Sequence, residues 1–188
     1  MHSRLKATLA SIVAAVAALA ATPSAAVEYV GAGFADASPN NAVVSYGSGA
    51  AQSFDVNFGV LTRVTLAFVT FRDETAPTMS FNALVNNFAG LNIDGLIVKL
   101  TGGAVFQAPN GTVTPTFGTL VGTSASATTV TSALSPGEGF AISFGNPLAM
   151  VGQADWTVDF SAVDAGSTFG ITVTAVPEAD SYAMLLAG

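Results

Sequence analysis

Two carboxylate pairs are the residues whose spacing best suits catalysis. Asp155 and Asp159 lie four positions apart on a predicted strand, so their side chains share one face of it. Two carboxylates facing each other across a cleft are what acid-catalysed glycoside cleavage requires. An alternating strand nevertheless turns such side chains outward by default, so we favour a role in holding the strand's register. The pair Asp73 and Glu74 follows a predicted strand and is interpreted as part of a turn.

Calcium binding is the other chemistry that these residue types allow, because calcium takes oxygen ligands from loops. Asp36 with Asn40 and Asn41 forms one candidate group, and Asn92 with Asp94 forms another. Neither group has EF-hand spacing, and Asp and Asn in loops more often stabilise turns. We therefore predict no cofactor or metal, with calcium at Asp36, Asn92 and Asp94 as the alternative.

The elements that must position these side chains are β-strands, because large apolar residues alternate with polar ones along most of the chain. The alternating sets are Phe54, Val56, Phe58 and Val60; Leu96, Val98 and Leu100; Phe140, Ile142 and Phe144; Trp156, Val158 and Phe160; and Phe169, Ile171 and Val173. A turn at residues 135–137 is predicted before the third set, and a hairpin turn at residues 164–166 before the last. No stretch has sustained helical spacing.

Three further segments complete the strand prediction. The mostly apolar residues 64–71 indicate a strand covered on both sides. Residues 84–88 fit either a loop or one helical turn. Residues 123–132 are small and polar, which is typical of a solvated strand edge or loop.

The fold class predicted for residues 27–175 is all-β. Strands with one apolar face cannot bury it alone, and two sheets packed face to face can. We therefore predict an antiparallel β-sandwich of jelly-roll or immunoglobulin-like type with about eight to ten strands. A single closed barrel is the alternative.

Residues 1–26 have the three-part layout of a secretory signal peptide. Arg4 and Lys6 precede an apolar run over residues 7–21, and small residues occupy the −3 and −1 positions of a cut after Ala26. The alternative is an N-terminal membrane anchor, but the run is short for a span. We expect a signal-peptide helix, export, and removal of this segment after Ala26.

Removal of the signal peptide limits the chemistry left to the mature chain. His2 is the only histidine and there is no cysteine, so catalytic triads and His- or Cys-ligated metal sites are excluded. The three remaining basic residues against all 12 acidic ones give a formal charge of −9. Nucleic acids and anionic membrane surfaces both need basic patches, so neither is a predicted partner.

Exposed aromatic side chains can serve as platforms for sugar rings, and three residues of this chain are candidates. Trp156 has the parity of Val158 and Phe160, which predicts a place in the core. Tyr29 and Tyr46 are the freer candidates, and they support the alternative prediction of a secreted glycan-binding module.

The end of the chain resembles the start of a PEP-CTERM sorting tail. Val176, Pro177 and Glu178 match the first residues of that motif, and residues 182–188 match the beginning of its apolar segment. Ala179 stands where the family has a second proline. The apolar segment present is shorter than the roughly 20 residues that a membrane helix needs, so we expect the membrane span and its arginine cluster only in a full-length form. We therefore divide the chain into residues 1–26, 27–175 and 176–188.

The order of segments also resembles the FxDxF-type group of PEP-CTERM proteins. The resemblance rests on the early strand Phe54-Asp55-Val56-Asn57-Phe58 and on residues 91–96 in the middle of the chain. The Asp of that early strand is one place earlier than in the group's motif.

What the PEP-CTERM resemblance implies is a processing enzyme and a location. It implies cleavage by an exosortase near Pro177 and Glu178, in a Gram-negative bacterium that makes exopolysaccharide. The protein is then exported to the outer cell surface or extracellular matrix, with exopolysaccharide or matrix components as possible contacts. We expect a non-enzymatic function, because a mature chain without His or Cys lacks the commonest catalytic side chains.

Overall fold

The computed structural model describes residues 26–35, 40–71, 77–107 and 111–179. The predicted signal-peptide helix, Asp36, the pair Asp73 and Glu74, and the apolar residues 182–188 lie outside these ranges. Among the described residues, no helix has the length and apolar character needed to cross a membrane.

The described residues form thirteen strands. These are β1 (Val27–Phe34), β2 (Ala42–Ser45), β3 (Ala51–Phe58), β4 (Arg63–Thr70), β5 (Thr78–Asn87), β6 (Ile93–Thr101), β7 (Val105–Phe106), β8 (Val113–Pro115), β9 (Leu120–Ala125), β10 (Thr129–Glu138), β11 (Ala141–Phe144), β12 (Trp156–Asp159) and β13 (Thr168–Pro177). The number exceeds the predicted eight to ten because β2, β7 and β8 have only two to four residues, too short to show alternation in the sequence.

The strands form two sheets, which makes the fold a β-sandwich as predicted. The first sheet has the order β1-β4-β13-β6-β10-β9. The second has the order β2-β3-β5-β11-β8, with β12 also paired to β5 and β7 paired to β12. Phe54 of β3 meets Phe68 of β4 across the interface, with ring centroids 5.9 Å apart. The core therefore lies between the sheets and holds the alternating residues of both.

One strand pair departs from the predicted antiparallel arrangement. β3 and β5 are parallel, with Phe54 opposite Ala83 and Phe58 opposite Asn87. The chain passes through β4 in the other sheet between them, so β5 re-enters the second sheet in the direction of β3. Period-two alternation is the same for parallel and antiparallel pairs, so it could not predict this.

Two predicted core residues are on the surface instead. Val60 is 40% exposed because β3 ends at Phe58 and the chain bends before reaching it. Phe140 is 61% exposed because β11 begins only at Ala141. The other members of both alternating sets are buried as predicted.

Other segment predictions have mixed outcomes. The turn predicted at residues 135–137 lies within β10, where the pairing with β6 breaks register between Ala133 and Glu138. Residues 84–87 belong to β5, not to a loop or helix.

The strand predicted at residues 64–71 to be covered on both sides is β4. It buries one face fully and the other only in part, and Phe71 after it is 42% exposed. The solvated edge predicted at residues 123–132 is confirmed in part by β9, an edge strand exposed at every position.

Candidate functional site

The residues of the sorting motif form the end of the last strand. Val176 lies opposite Gly95 and Pro177 lies opposite Ile93 in the pairing of β13 with β6. Glu178 continues this attachment, because its backbone N–H donates to the carbonyl oxygen of Asn92 at 3.0 Å. The strand thus runs two residues beyond residue 175, and the first three motif residues are held against the sheet.

Asn92 connects this motif to one of the predicted calcium groups. Its side-chain Nδ2 donates to Glu178 Oε2 at 3.4 Å, so the amide faces the motif. Asp94 packs against the backbone of Gly137, where an added Cβ would lie 2.6 Å from Asp94 Oδ1. Within the described ranges, no three His, Cys, Asp or Glu residues are grouped to hold a metal ion.

The other calcium group has one buried member with a turn-forming role. Oδ1 of Asn41 accepts hydrogen bonds from the N–H groups of Gly59 at 2.9 Å and Val60 at 3.0 Å. Asn41 therefore stabilises the bend that follows β3, which is the turn role favoured for loop Asn residues.

The carboxylate of Asp155 accepts several hydrogen bonds from the protein and is not the solvated outward group that was predicted. It lies just before β12, and its carboxylate accepts from Ser80 Oγ at 2.5 Å, Asn82 Nδ2 at 3.0 Å and the N–H of Asn146 at 2.8 Å. These bonds join β5 to the segment between β11 and β12. The carboxylate is engaged by structural donors, which favours the non-catalytic interpretation.

Asp159 has a similar but more exposed role at the end of β12. Its Oδ1 accepts from the N–H of Ser161 at 2.8 Å, and its Oδ2 accepts from Gln107 Nε2 at 3.2 Å. The hydrogen bonds from Ser161, followed by that from Gln107, outweigh the effect of partial burial and lower the pKa of this carboxyl. Both carboxylates of the pair therefore serve local structure.

Glu138 is the most completely enclosed acidic side chain among the described residues, and no sequence motif points to it. It is 0% exposed, and its carboxylate accepts from the N–H groups of Phe117 at 2.6 Å, Gly118 at 2.8 Å and Phe140 at 2.7 Å. Burial alone raises the pKa of a carboxyl, but backbone N–H donors here favour the ionised form and the pKa is lowered overall. The only local sequence feature that marks Glu138 is its position between two glycines, Gly137 and Gly139.

The three aromatic candidates for a sugar platform differ in how far they are exposed. Trp156 is buried as predicted and stacks on Phe144, with ring centroids 5.0 Å apart. Tyr46 is 65% exposed and donates from its hydroxyl to Asp55 Oδ2 at 2.8 Å. This hydrogen bond is the main cause that raises the pKa of the Tyr46 hydroxyl. Tyr29 is partly buried, and its ring packs edge-on against Phe54 at 4.9 Å.

Tyr29 also lines a cleft of about 480 Å³. The cleft lies where β1, the edge of the first sheet, faces the hairpin of β2 and β3 at the edge of the second. Gln52 and Phe71 contribute to its wall. The sequence pattern identifies Tyr29 but carries no information on the residues that lie opposite it.

Comparison of the chain with family models, with curated proteins and with solved structures finds no match in any of the three.

Proposed function

We propose that the protein is a non-enzymatic, exported bacterial surface or extracellular-matrix component that an exosortase sorts through its C-terminal tail. The single observation that carries this is the position of Val176, Pro177 and Glu178. They close the last strand of a β-sandwich, so a cut at this point releases the whole domain with its sheets complete.

The engagement of the acidic side chains supports a non-enzymatic role. Asp155, Asp159 and Glu138 each accept hydrogen bonds that join separate segments of the fold. A catalytic carboxylate must exchange protons with a substrate, whereas these three are held by donors of the protein itself. Their chemistry is that of structural cross-links.

A genetic experiment tests the sorting proposal. The genomic reading frame that contains these 188 residues is expressed in a Gram-negative host with and without its exosortase, and the products are identified by mass spectrometry. We expect a product cut near Pro177 and Glu178 on the cell surface only when the exosortase is present. An identical product in both strains would overturn the proposal.

Matched variants separate recognition of the motif from damage to the fold. A double variant with Pro177→Ala and Glu178→Ala should remain unprocessed and stay in the cell envelope. Asp164→Ala, an exposed change in the turn before β13, should be processed as the wild type is. Processing of the double variant at the wild-type rate would show that another part of the chain is the signal.

A further inference from the structure

Three exposed phenylalanine rings lie at one end of the sandwich. Phe88 is 68% exposed, Phe117 is 79% exposed and Phe140 is 61% exposed. The rings of Phe117 and Phe140 are in contact, and the carbonyl oxygen of Phe140 accepts the N–H of Asn87, the residue before Phe88. Single exposed apolar residues are normal, but a group of large exposed rings marks an interaction surface. We call these three phenylalanines the aromatic patch.

The backbone beneath the aromatic patch is fixed by hydrogen bonds. The buried carboxylate of Glu138 accepts the N–H groups of both Phe117 and Phe140. Nδ2 of Asn87 donates to the carbonyl oxygen of Leu91 at 2.6 Å and to that of Glu138 at 3.3 Å. The backbone that carries the rings is therefore already ordered, which lowers the entropy cost of covering them with a partner.

The last strand ends beside the aromatic patch. The N–H of Glu178 donates to the carbonyl oxygen of Asn92 at 3.0 Å. Oδ1 of Asn92 lies 3.1 Å from the position that a Cβ on Gly139 would occupy, and Gly139 directly precedes Phe140. Asn92 thus bridges Glu178 and the residue next to the patch.

The chain beyond Glu178 is short before its apolar segment begins. Residues 179–181 are all that separates Glu178 from Tyr182, the first of the apolar residues 182–188. A peptide advances at most about 3.6 Å per residue, so the Cα of Tyr182 lies within roughly 14 Å of the Cα of Glu178. A surface that takes up the apolar segment must therefore lie close to the end of the sandwich that carries the aromatic patch.

Charge limits which surface this can be. Glu178 lies at this end, and so does Asp94, whose carboxylate packs against the backbone of Gly137. Without residues 1–26 the chain has 3 basic residues against 12 acidic ones, a formal charge of −9. Anionic headgroups are repelled by such a charge, whereas zwitterionic headgroups are not. Aromatic rings are favoured at the boundary between lipid headgroups and acyl chains.

We propose that the aromatic patch rests on a zwitterionic lipid surface, with its three rings at the boundary between headgroups and acyl chains. This inference rests on the proposed function, in which the tail is a sorting signal whose full-length form enters a membrane. It adds an orientation to that function. The sandwich stands with the end of β13 towards the membrane, so the cut site near Pro177 and Glu178 is held at the membrane surface.

A lipid-anchored chain tests this orientation without any exosortase. Because the sequence has no cysteine, Ala183→Cys gives the mature chain from Val27 a single thiol, which is coupled to a maleimide phospholipid in phosphatidylcholine vesicles. Phe140→Trp adds a reporter at the patch, because brominated lipids quench tryptophans that reach the acyl chains. The anchored chain without this second substitution gives the background from Trp156, which is buried.

Leu148→Trp is the matched control, because Leu148 is 57% exposed and follows the other end of β11. We expect brominated lipids to quench the tryptophan added at position 140 at least threefold more strongly than the one added at position 148. Vesicles that contain phosphatidylglycerol should give weaker quenching at position 140, because their charge repels the chain.

A further variant separates the effect of the rings from that of the tether. Replacing both Phe88 and Phe117 with serine should lower the quenching at position 140 at least twofold, because the rings hold this end of the sandwich against the lipid. Thermal melting curves establish that each variant is folded. If the double variant does not fold, Phe117→Ser alone takes its place, since Phe117 is the most exposed of the three rings.

Three results would overturn the proposal. One is equal quenching at positions 140 and 148. Another is undiminished quenching in the serine variant, since the tether alone would then account for the contact. The third is stronger quenching on phosphatidylglycerol vesicles. These outcomes are independent of the sorting experiment, because the vesicles contain no exosortase and the sorting experiment reads only where the chain is cut.

Discussion

The carboxylate of Glu138, the last residue of β10, accepts the backbone N–H of Phe117 at 2.6 Å, although Phe117 lies 21 positions earlier, between β8 and β9. The same carboxylate holds the N–H of Phe140, and the rings of Phe117 and Phe140 meet at 5.9 Å on the surface. One buried charge thus fixes the two connections that pass between the sheets, from β8 to β9 and from β10 to β11. Its removal has measurable consequences.

Glu138→Gln should lower the free energy of unfolding by about 3 kcal/mol, because an amide NH₂ would face N–H groups that now have an acceptor. Glu28→Gln is the control, since Glu28 is exposed on β1 and its change should stay within about 0.5 kcal/mol. Urea denaturation followed by tryptophan fluorescence measures both. A loss in Glu138→Gln no larger than that of the control would contradict the role assigned to this carboxylate.

Stability should fall in acid because Glu138 and Asp159 both have lowered pKa values in the folded state. A lowered folded pKa means that the stabilisation is present above the unfolded pKa and is lost as the pH drops through the folded value. The reference values are 4.5 for Glu138 and 3.8 for Asp159, so the loss should begin near pH 4.5 and continue below pH 3.8. Denaturation curves from pH 7 to pH 2 check this.

The Glu138→Gln variant provides the internal control for that experiment. Its stability should depend less on pH below 4.5 than the stability of the wild type does. An equal pH dependence in both proteins would assign the acid loss to other carboxylates.

Asp155→Ala should cost about 2–3 kcal/mol, because Ser80, Asn82 and the N–H of Asn146 would all lose their acceptor. Asp164→Ala removes an equally charged side chain from an exposed turn and should cost less than about 0.5 kcal/mol. Thermal and chemical denaturation of the two variants measure the loss in the free energy of unfolding. Equal losses would mean that the net charge, and not the hydrogen bonds, is what Asp155 contributes.

Truncation should locate the end of the folded domain. A chain that ends at Glu178 keeps the pairs of Val176 with Gly95 and Pro177 with Ile93, and we expect wild-type stability from it. A chain that ends at Ala175 loses them and the bond from Glu178 N–H to Asn92, which should cost about 1–2 kcal/mol. Equal stability of the two would place the border at residue 175, whereas a loss in the longer chain would show that the tail contributes to the fold.

Signal-peptide cleavage should give a mature chain that begins at Val27. The structure adds a cost to this cut, because the carbonyl oxygen of Ala26 accepts the N–H of Phe71 at 2.9 Å and would be removed. Mass spectrometry of the exported protein reads the first residue directly. A mature chain that retains Ala26 would show that the peptidase cuts earlier and leaves this bond intact.

Alternation in the sequence was enough to predict the fold class and most of the core. Phe54, Val56 and Phe58 are each 0% exposed, and Trp156 is 1% exposed, as their parity required. The odd or even position of a residue in a strand predicts its burial because successive side chains point to opposite faces, whichever strand lies beside it. The predictions were wrong at two positions. Val60 lies two residues after the end of β3, and Phe140 lies one residue before the start of β11.

The sequence by itself therefore determined the all-β class and most of the buried strand faces, and it predicted a sandwich with a closed barrel as the alternative. Only the tertiary structure decided that β3 pairs parallel with β5, that Glu138 binds Phe117, and that Tyr29 and Gln52 line the same cleft. The physical reason is that side-chain parity is a property of neighbouring residues along the chain. The partner of a buried polar group comes from a distant segment, and its identity depends on how the sheets are assembled.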